Sequence, residues 1–592
     1  MSLILLVVVV QMDSPLGAQP NRLGADNKTF EERRDEWLAR VPSPSSSIEM
    51  IDRRNYLFSW LDTGVYNGTV SETIDHFIHA YWLDDIRAQH GYAVMIPLKY
   101  GSKGTGVISS GDESNVKSKY EQWISSSSTF GDLNPNKQVF AMVGVYLYTS
   151  EYDKDLEFPI YGYSTSVNKP VPKFYRNHWP SFRYNGHSYK FGRGPYNARQ
   201  LAKDWLEQVM DGWYVRKSSP RGNREFDSIV YSRAYPGAMA LLADLADDPK
   251  LRRKAKMCAD LSHLDSVLDF SANAWGGTMG RNDYRKNSRP PIYPFHHYWG
   301  MGDKLDGDEE KWNVTVNYHV DYDLPDVIID AGVLEDEPED YWHFHKEYNE
   351  GLLNREGKGK WNWVTRFYTL GSNVGQARQG WQLSVKGKGR TGFIRLWVNE
   401  RANKPAPDQE TNYLGLRGCQ FRNALFADIR SGPNLWEQTN DASWDIRESD
   451  GTWQFRKLGR IMVAVGMGTS SASVEVAIAG LDYPGWAEFK NAIKHNAILT
   501  EDSYTTSRGV KIGKKDFCGL MVPGDCDFPF PRMETIDHKG RKIVTWKNNV
   551  MAVSRHGKTR IYNFNNWTVS DDGGEVDLTS PLPPSGIKAS RN

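Results

Sequence analysis

Helices first and antiparallel strands second is the fold class this chain predicts, as a multidomain protein with separate α and β parts. Three observations predict it. The 592 residues exceed what one simple core organises and point to two or three domains. Apolar residues recur at a spacing near 3.6 through the first part, and from Trp361 onward the period falls to two. A run of helices followed by a run of strands sorts into different layers or domains. The expected division is a leader over residues 1–18, a helical part over 19–350 and an antiparallel β part over 351–592, joined near Glu347 to Lys360.

The chain opens with the apolar run Met1 to Val10, about the length of a signal-peptide core and too short to cross a bilayer, with Ala18 as a cleavage point. Asn-x-Ser/Thr acceptors at Asn27, Asn67, Asn313 and Asn566 suit a secreted glycoprotein. Cys518 and Cys526 flank a short Gly/Pro loop and are expected to pair; Cys258 sits in a helical pattern as a buried thiol, and Cys419 has no obvious partner. The protein is therefore read as exported.

Helical patterns follow from Phe30 to Gly91, with Ile74, Phe77, Ile78 and Trp82 marking one face of Thr73 to Ala88. The glycine-rich stretch Gly101 to Gly106 lacks the Gly-Lys-Ser/Thr ending of a phosphate loop and reads as an ordinary loop. Val139 to Tyr148 is apolar but short, so helix and strand both remain open. Phe174 to Tyr196 reads as a polar, aromatic loop. Ala198 to Val215, Pro236 to Ala246 and Pro249 to Phe270 are amphipathic helices, His263 lying among the leucines of the last. The strand-like runs are Phe367 to Leu370, Gly380 to Val385, Gly392 to Val398, Ala424 to Ile429, Arg460 to Val465, Val474 to Ile478, Lys542 to Trp546 and Val550 to Val553.

Composition narrows the function. Lys plus Arg equals Asp plus Glu, at 73 each, so no global field argues for nucleic acid or a membrane surface, and an anionic substrate has to be held locally. Aromatic residues make up 12% of the chain, with 21 Trp and 30 Tyr, a supply of flat rings suited to stacking on sugars as well as to packing. His-Glu-x-x-His, Cys-x-x-Cys and Gly-x-Ser-x-Gly motifs are absent, so metalloprotease and serine hydrolase chemistry have no footing. His343-Phe344-His345 would place two imidazoles on one side of a strand, but without a third ligand at a recognisable spacing no metal and no cofactor is expected.

Chemistry concentrates in Asn223 to Tyr235. On a helix, Arg224 and Tyr231 are two turns apart and project from one face. Upstream stand Asn177-His178-Trp179 and Asn185-Gly186-His187; downstream, Tyr235 and then Gly276 to Arg285, with Arg281, Asn282, Tyr284 and Arg285 as sugar or carboxylate contacts. An Asn-His pair followed some fifty residues on by Arg and Tyr two helical turns apart resembles the polysaccharide lyases of the alginate lyase and heparinase II/III type, over about residues 140 to 480. That resemblance implies an incomplete (α/α) toroid followed by an antiparallel β-sandwich. It also implies that Asn177 and Arg224 hold a substrate carboxylate while His178 and Tyr231 handle protons. His187 with Tyr235 is a rival pair, and His319, His343 and His345 are equal candidates for a second histidine.

The residue types suit that chemistry in their own right. β-Elimination at a uronate removes the proton α to a carboxylate, so a site must neutralise the carboxylate, supply a base and protonate the leaving oxygen. Arg and Asn suit the first task, His and Tyr the others; a guanidinium beside a phenol lowers a pKa that starts near ~10. The expected partner is an anionic polysaccharide. Two other classes stay open: a glycoside hydrolase using Glu225 or Asp227 with Asp283, and a carbohydrate-binding protein without catalysis.

Overall fold

A computed structural model of the chain describes residues 28–79, 91–125, 135–161, 181–190, 192–211, 234–271, 274–275, 319–322, 324–332, 342–349, 358–374, 381–387, 390–397, 416–429, 434–439, 444–514, 533–537, 541–572 and 574–576. Among these, ten helices come before the large sheets. They are α1 (Phe30–Leu38), α2 (Met50–Asp62), α3 (Gly68–His79), α4 (Met95–Tyr100), α5 (Ser110–Ser125), α6 (Pro135–Glu151), α7 (Ala198–Val209), α8 (Ala234–Leu245), α9 (Pro249–Asp269) and α10 (Asp326–Gly332). An eleventh, α11 (Trp486–Asn496), sits among the strands.

Local chemistry starts these helices. Thr29 caps α1 reciprocally: its hydroxyl accepts from the Glu32 amide at 3.0 Å while the Glu32 carboxylate accepts from the Thr29 amide at 2.7 Å. Asn67 and Asn197 cap α3 and α7 without the reciprocal bond, accepting from the amides of Val70 (3.1 Å) and Gln200 (2.9 Å). The undecided stretch Val139 to Tyr148 lies inside α6. Val139, Phe140, Met142, Val143, Tyr146 and Tyr148 are each no more than 1% exposed, so this stretch is buried all round and has no solvent face to reveal its period.

The strands form a twelve-stranded and a six-stranded antiparallel sheet. The six-stranded sheet runs Leu416–Phe421, Ala424–Ile429, Ser471–Ile478, Ile461–Met467, Trp453–Leu458, Ile446–Asp450. Trp363, Tyr368, Leu370, Leu383 and Val385 of the larger sheet share one apolar cluster with Leu425, Val463, Val474 and Val476 of the smaller. The far end of the larger sheet behaves differently. Ile543, Val544, Trp546, Met551, Val553, Tyr562 and Val569 belong to the same cluster as the helices. Polar contacts reinforce that join: buried Asp260 of α9 accepts from Tyr322 Oη at 2.5 Å and from Tyr562 Oη at 2.9 Å.

A second buried network ties α2, α4 and α8 together. Asp62 accepts from Tyr100 Oη at 2.6 Å and is hydrogen-bonded to His319 Nδ1. Lys99 Nζ lies 3.9 Å from Asp244 Oδ2, which also accepts from the Asp321 amide at 3.2 Å. Burial pushes the Asp244 carboxyl from its ordinary 3.8 up to about 6, with Lys99 opposing and Asp321 adding to the rise. Stability from this group is full below about pH 4, where both states are protonated, and is lost as pH rises towards 6, because the unfolded chain ionises first. Over that window the loss amounts to about 3 kcal/mol. Urea unfolding of Asp244→Asn at pH 4, 5, 6 and 7 is expected to show a shallower decline than the wild type; parallel curves would remove Asp244 as the cause.

Candidate functional site

Most residues singled out in the sequence lie outside the described residues: Asn177, His178, Trp179, Arg224, Tyr231, Arg281, Tyr284 and Arg285, and with them Cys518, Cys526, Asn27 and Asn313. Tyr235 falls in the first turn of α8, its side chain not described. Of the alternative histidines, His343 and His345 sit on one strand, in register with Asp537 and Thr535. His319 is only 1% exposed and is hydrogen-bonded to Asp62, in the interior. Asn67 and Asn566 are exposed.

His187 is described in full, and its surroundings correct the reading of Phe174 to Tyr196 as loop throughout. Phe182–Tyr184 pairs with His187–Tyr189 in a tight hairpin whose two turn residues, Asn185 and Gly186, have φ of 47° and 83°. Asn-Gly between two short alternating runs is the strongest local hairpin signal, because both turn positions need positive φ. The hairpin sets His187 beside α7. Its Nδ1 lies 2.8 Å from Asp204 Oδ2, with the imidazole 50% exposed and the carboxylate fully buried.

Asp204 is well supplied with donors. Tyr189 Oη gives a hydrogen bond of 2.6 Å to Oδ2, and Gln200 Nε2 and Asn185 Nδ2 give bonds of 3.0 and 3.3 Å to Oδ1. A carboxylate surrounded by donors accepts from each of them, and accepting from Nδ1 sets the imidazole tautomer and orientation. Nδ1 then carries the proton, and Nε2 is left to accept one from a ligand or water. The polar face continues along α7. Glu207, 2% exposed, lies 3.5 Å from Lys254 Nζ of α9, which is 3.1 Å from Asp211 Oδ1 and 5.0 Å from the Trp567 ring. Tyr184 Oη donates to Asp211 Oδ2 at 2.6 Å. Burial first, then hydrogen bonding to Asp211 and Asp204, raises the phenols of Tyr184 and Tyr189, so both act as donors.

Sequence reasoning picked out His187 and missed Asp204, Glu207 and Lys254. The available signal was two acids three residues apart inside an amphipathic helix, which periodicity alone assigns to solvent. Chemically, the arrangement offers an oriented imidazole at the surface, backed by a desolvated carboxylate and reached from a rigid hairpin. Such a group takes a proton from a ligand or water and, once protonated, can give it back. Compared with known proteins, the chain matches no family model, no curated protein and no solved structure.

Proposed function

We propose that the protein is a secreted polysaccharide lyase that cleaves a uronate-containing polysaccharide by β-elimination. In this reading the helices are an incomplete (α/α) toroid and the two facing sheets a β-sandwich. Arg224 and Asn177 neutralise the uronate carboxylate. A base drawn from Tyr231 and His178 takes the proton α to it, the glycosidic C–O bond β to the carboxylate breaks, a carbon–carbon double bond forms, and the leaving oxygen takes up a proton. His187, Trp179, Tyr235, Arg281, Tyr284 and Arg285 bind the sugar chain. The observation that carries the reading is the His187–Asp204 pair: an imidazole half in solvent, its Nδ1 held by a buried carboxylate at 2.8 Å, on the hairpin that follows Asn177-His178 in the sequence.

Incubation with alginate, glucuronan, hyaluronan, chondroitin and ulvan, read by ultraviolet absorbance, tests this directly. Elimination creates an unsaturated uronide that absorbs; hydrolysis produces reducing ends without absorbance; binding produces neither. Arg224→Ala is expected to lose about 10²-fold or more of the turnover with the fold intact, because a charge-assisted contact that strengthens in the transition state is worth several kcal/mol. Unchanged turnover would put Arg224 on the surface.

A further inference from the structure

Three hairpin turns meet at one rim of the β part. The strands Leu416–Phe421 and Ala424–Ile429 turn at Arg422 and Asn423, and Trp453–Leu458 and Ile461–Met467 turn at Gly459 and Arg460. Ser471–Ile478 lies between these hairpins, and its partners Ala424↔Glu475 and Ile461↔Ile478 bring both turns to the same end of the six-stranded sheet. The larger sheet contributes the turn at Arg366 and Phe367, docked by a hydrogen bond of 2.8 Å from Gln420 Nε2 to the Leu370 carbonyl. Leu370 and Phe367 are three residues apart, so along an extended strand this turn lies about 10 Å from that bond.

Each turn presents an exposed arginine over an aromatic ring. The Arg422 guanidinium lies 5.5 Å from the ring of Phe421 and 5.8 Å from that of Trp363. Arg366 and Arg460 both lie over Phe367, at 5.9 and 5.5 Å. Arg460 Nε also donates to the Ala479 carbonyl at 3.2 Å, Asp482 is 3.3 Å from Arg508, and Asp445 accepts from the Gly459 amide at 2.7 Å. Phe421 keeps 37% of its surface exposed and Leu481 43%. Cations held over rings, beside an exposed ring, are suited to an anionic group on a sugar whose face lies on an aromatic.

The Arg422 backbone adds an independent observation. Its φ is 52° at the first position of a two-residue hairpin turn, a conformation that favours glycine. Two side chains fix the turn: Gln420 Nε2 donates to the Arg422 carbonyl at 2.9 Å and Asn423 Nδ2 to the Val476 carbonyl at 2.6 Å. A strained position occupied by a long cation and braced on both sides is preorganised.

We propose that this rim is a second binding surface, separate from the His187 hairpin, for a carboxylate-bearing polysaccharide. Arg366, Arg422 and Arg460 take the carboxylates and Phe421 takes a sugar face. The identity of the ligand rests on the polysaccharide reading. An acidic polypeptide would offer the charge without the sugar face, and with a formal net charge of zero the chain has no general attraction for polyanions.

Native gel electrophoresis of the full chain in gels containing alginate, pullulan, dextran sulfate or poly-L-glutamate tests the proposal without depending on turnover. Retardation is expected in alginate, not in pullulan, and weaker at high salt. The combination Arg366→Ala, Arg422→Gly and Arg460→Ala is expected to weaken the alginate affinity about tenfold or more. Arg422→Gly alone relieves the positive φ, so it should melt no lower than wild type and still bind less, which separates lost contact from lost fold. The proposal is overturned if wild type is not retarded by alginate, if the triple variant is retarded equally, if poly-L-glutamate retards as strongly, or if only dextran sulfate retards. Retardation lost in the triple variant, with no absorbing product from any polymer, would keep the rim and remove the lyase reading.

Discussion

Tyr231→Phe is expected to lower turnover on a uronate polymer by roughly 10² to 10⁴ while the melting temperature hardly changes. The substitution removes one oxygen and keeps the ring, so packing is preserved. If Tyr231 is held only by its ring, turnover stays near normal and at most about 1 kcal/mol of stability is lost with one hydrogen bond. Turnover and melting measured on the same sample distinguish the two. His178→Ala belongs beside it, since proton transfer to and from the sugar needs both groups and packing does not. Normal turnover in Tyr231→Phe would move the proton step to Tyr235 with His187, whose imidazole is already oriented by Asp204, and after that to Tyr284.

Which parts of this protein can be read from the sequence follows from what periodicity measures. Half-buried elements declare themselves: apolar spacing marks α7 and α9, and alternation marks Lys542–Lys547 and Val550–Arg555, while Ile461–Met467 and Ser471–Ile478, buried on both faces, show as short β-branched runs. The α6 helix is not marked, because burial on every side erases the amphipathic signal. The hairpin at Asn185 and Gly186 was visible in its dipeptide, yet the flanking strands are three residues each, shorter than a pattern search resolves. The site divides in the same way. A histidine after Asn-Gly is conspicuous in a sequence, whereas Asp204 and Glu207 look like solvent-facing acids until the hairpin brings His187 and Tyr189 against the first and α9 brings Lys254 against the second. Pairing between α7 and α9 is a tertiary fact, and no local spacing encodes it.

The C-terminal strands carry the other large expectation. They were legible as strands, but their packing partner was not: nine of their side chains, Ile543, Val544, Trp546, Met551, Val553, Tyr562, Phe564, Trp567 and Val569, lie in the core of the helical part. At about 1.5–3 kcal/mol per buried side chain, losing them matches or exceeds the whole ~5–15 kcal/mol that stabilises a domain. A chain ending at residue 541 is therefore expected to lose cooperative melting of the helices, although no helix has been removed. Asp260→Ala probes the same join without truncation. It strips the acceptor from Tyr322 and Tyr562, whose hydroxyls lie 2.5 and 2.9 Å away, and leaves the buried Arg560 without that neighbouring carboxylate. Stranding buried donors beside a buried cation typically costs ~3–5 kcal/mol. Tyr562→Phe leaves Asp260 one donor and should cost less, about 1–3 kcal/mol. Circular dichroism melts of the three proteins against wild type order these effects. A truncated chain that still melts as one sharp transition at the wild-type temperature would show that the helices hold their core without the sheet.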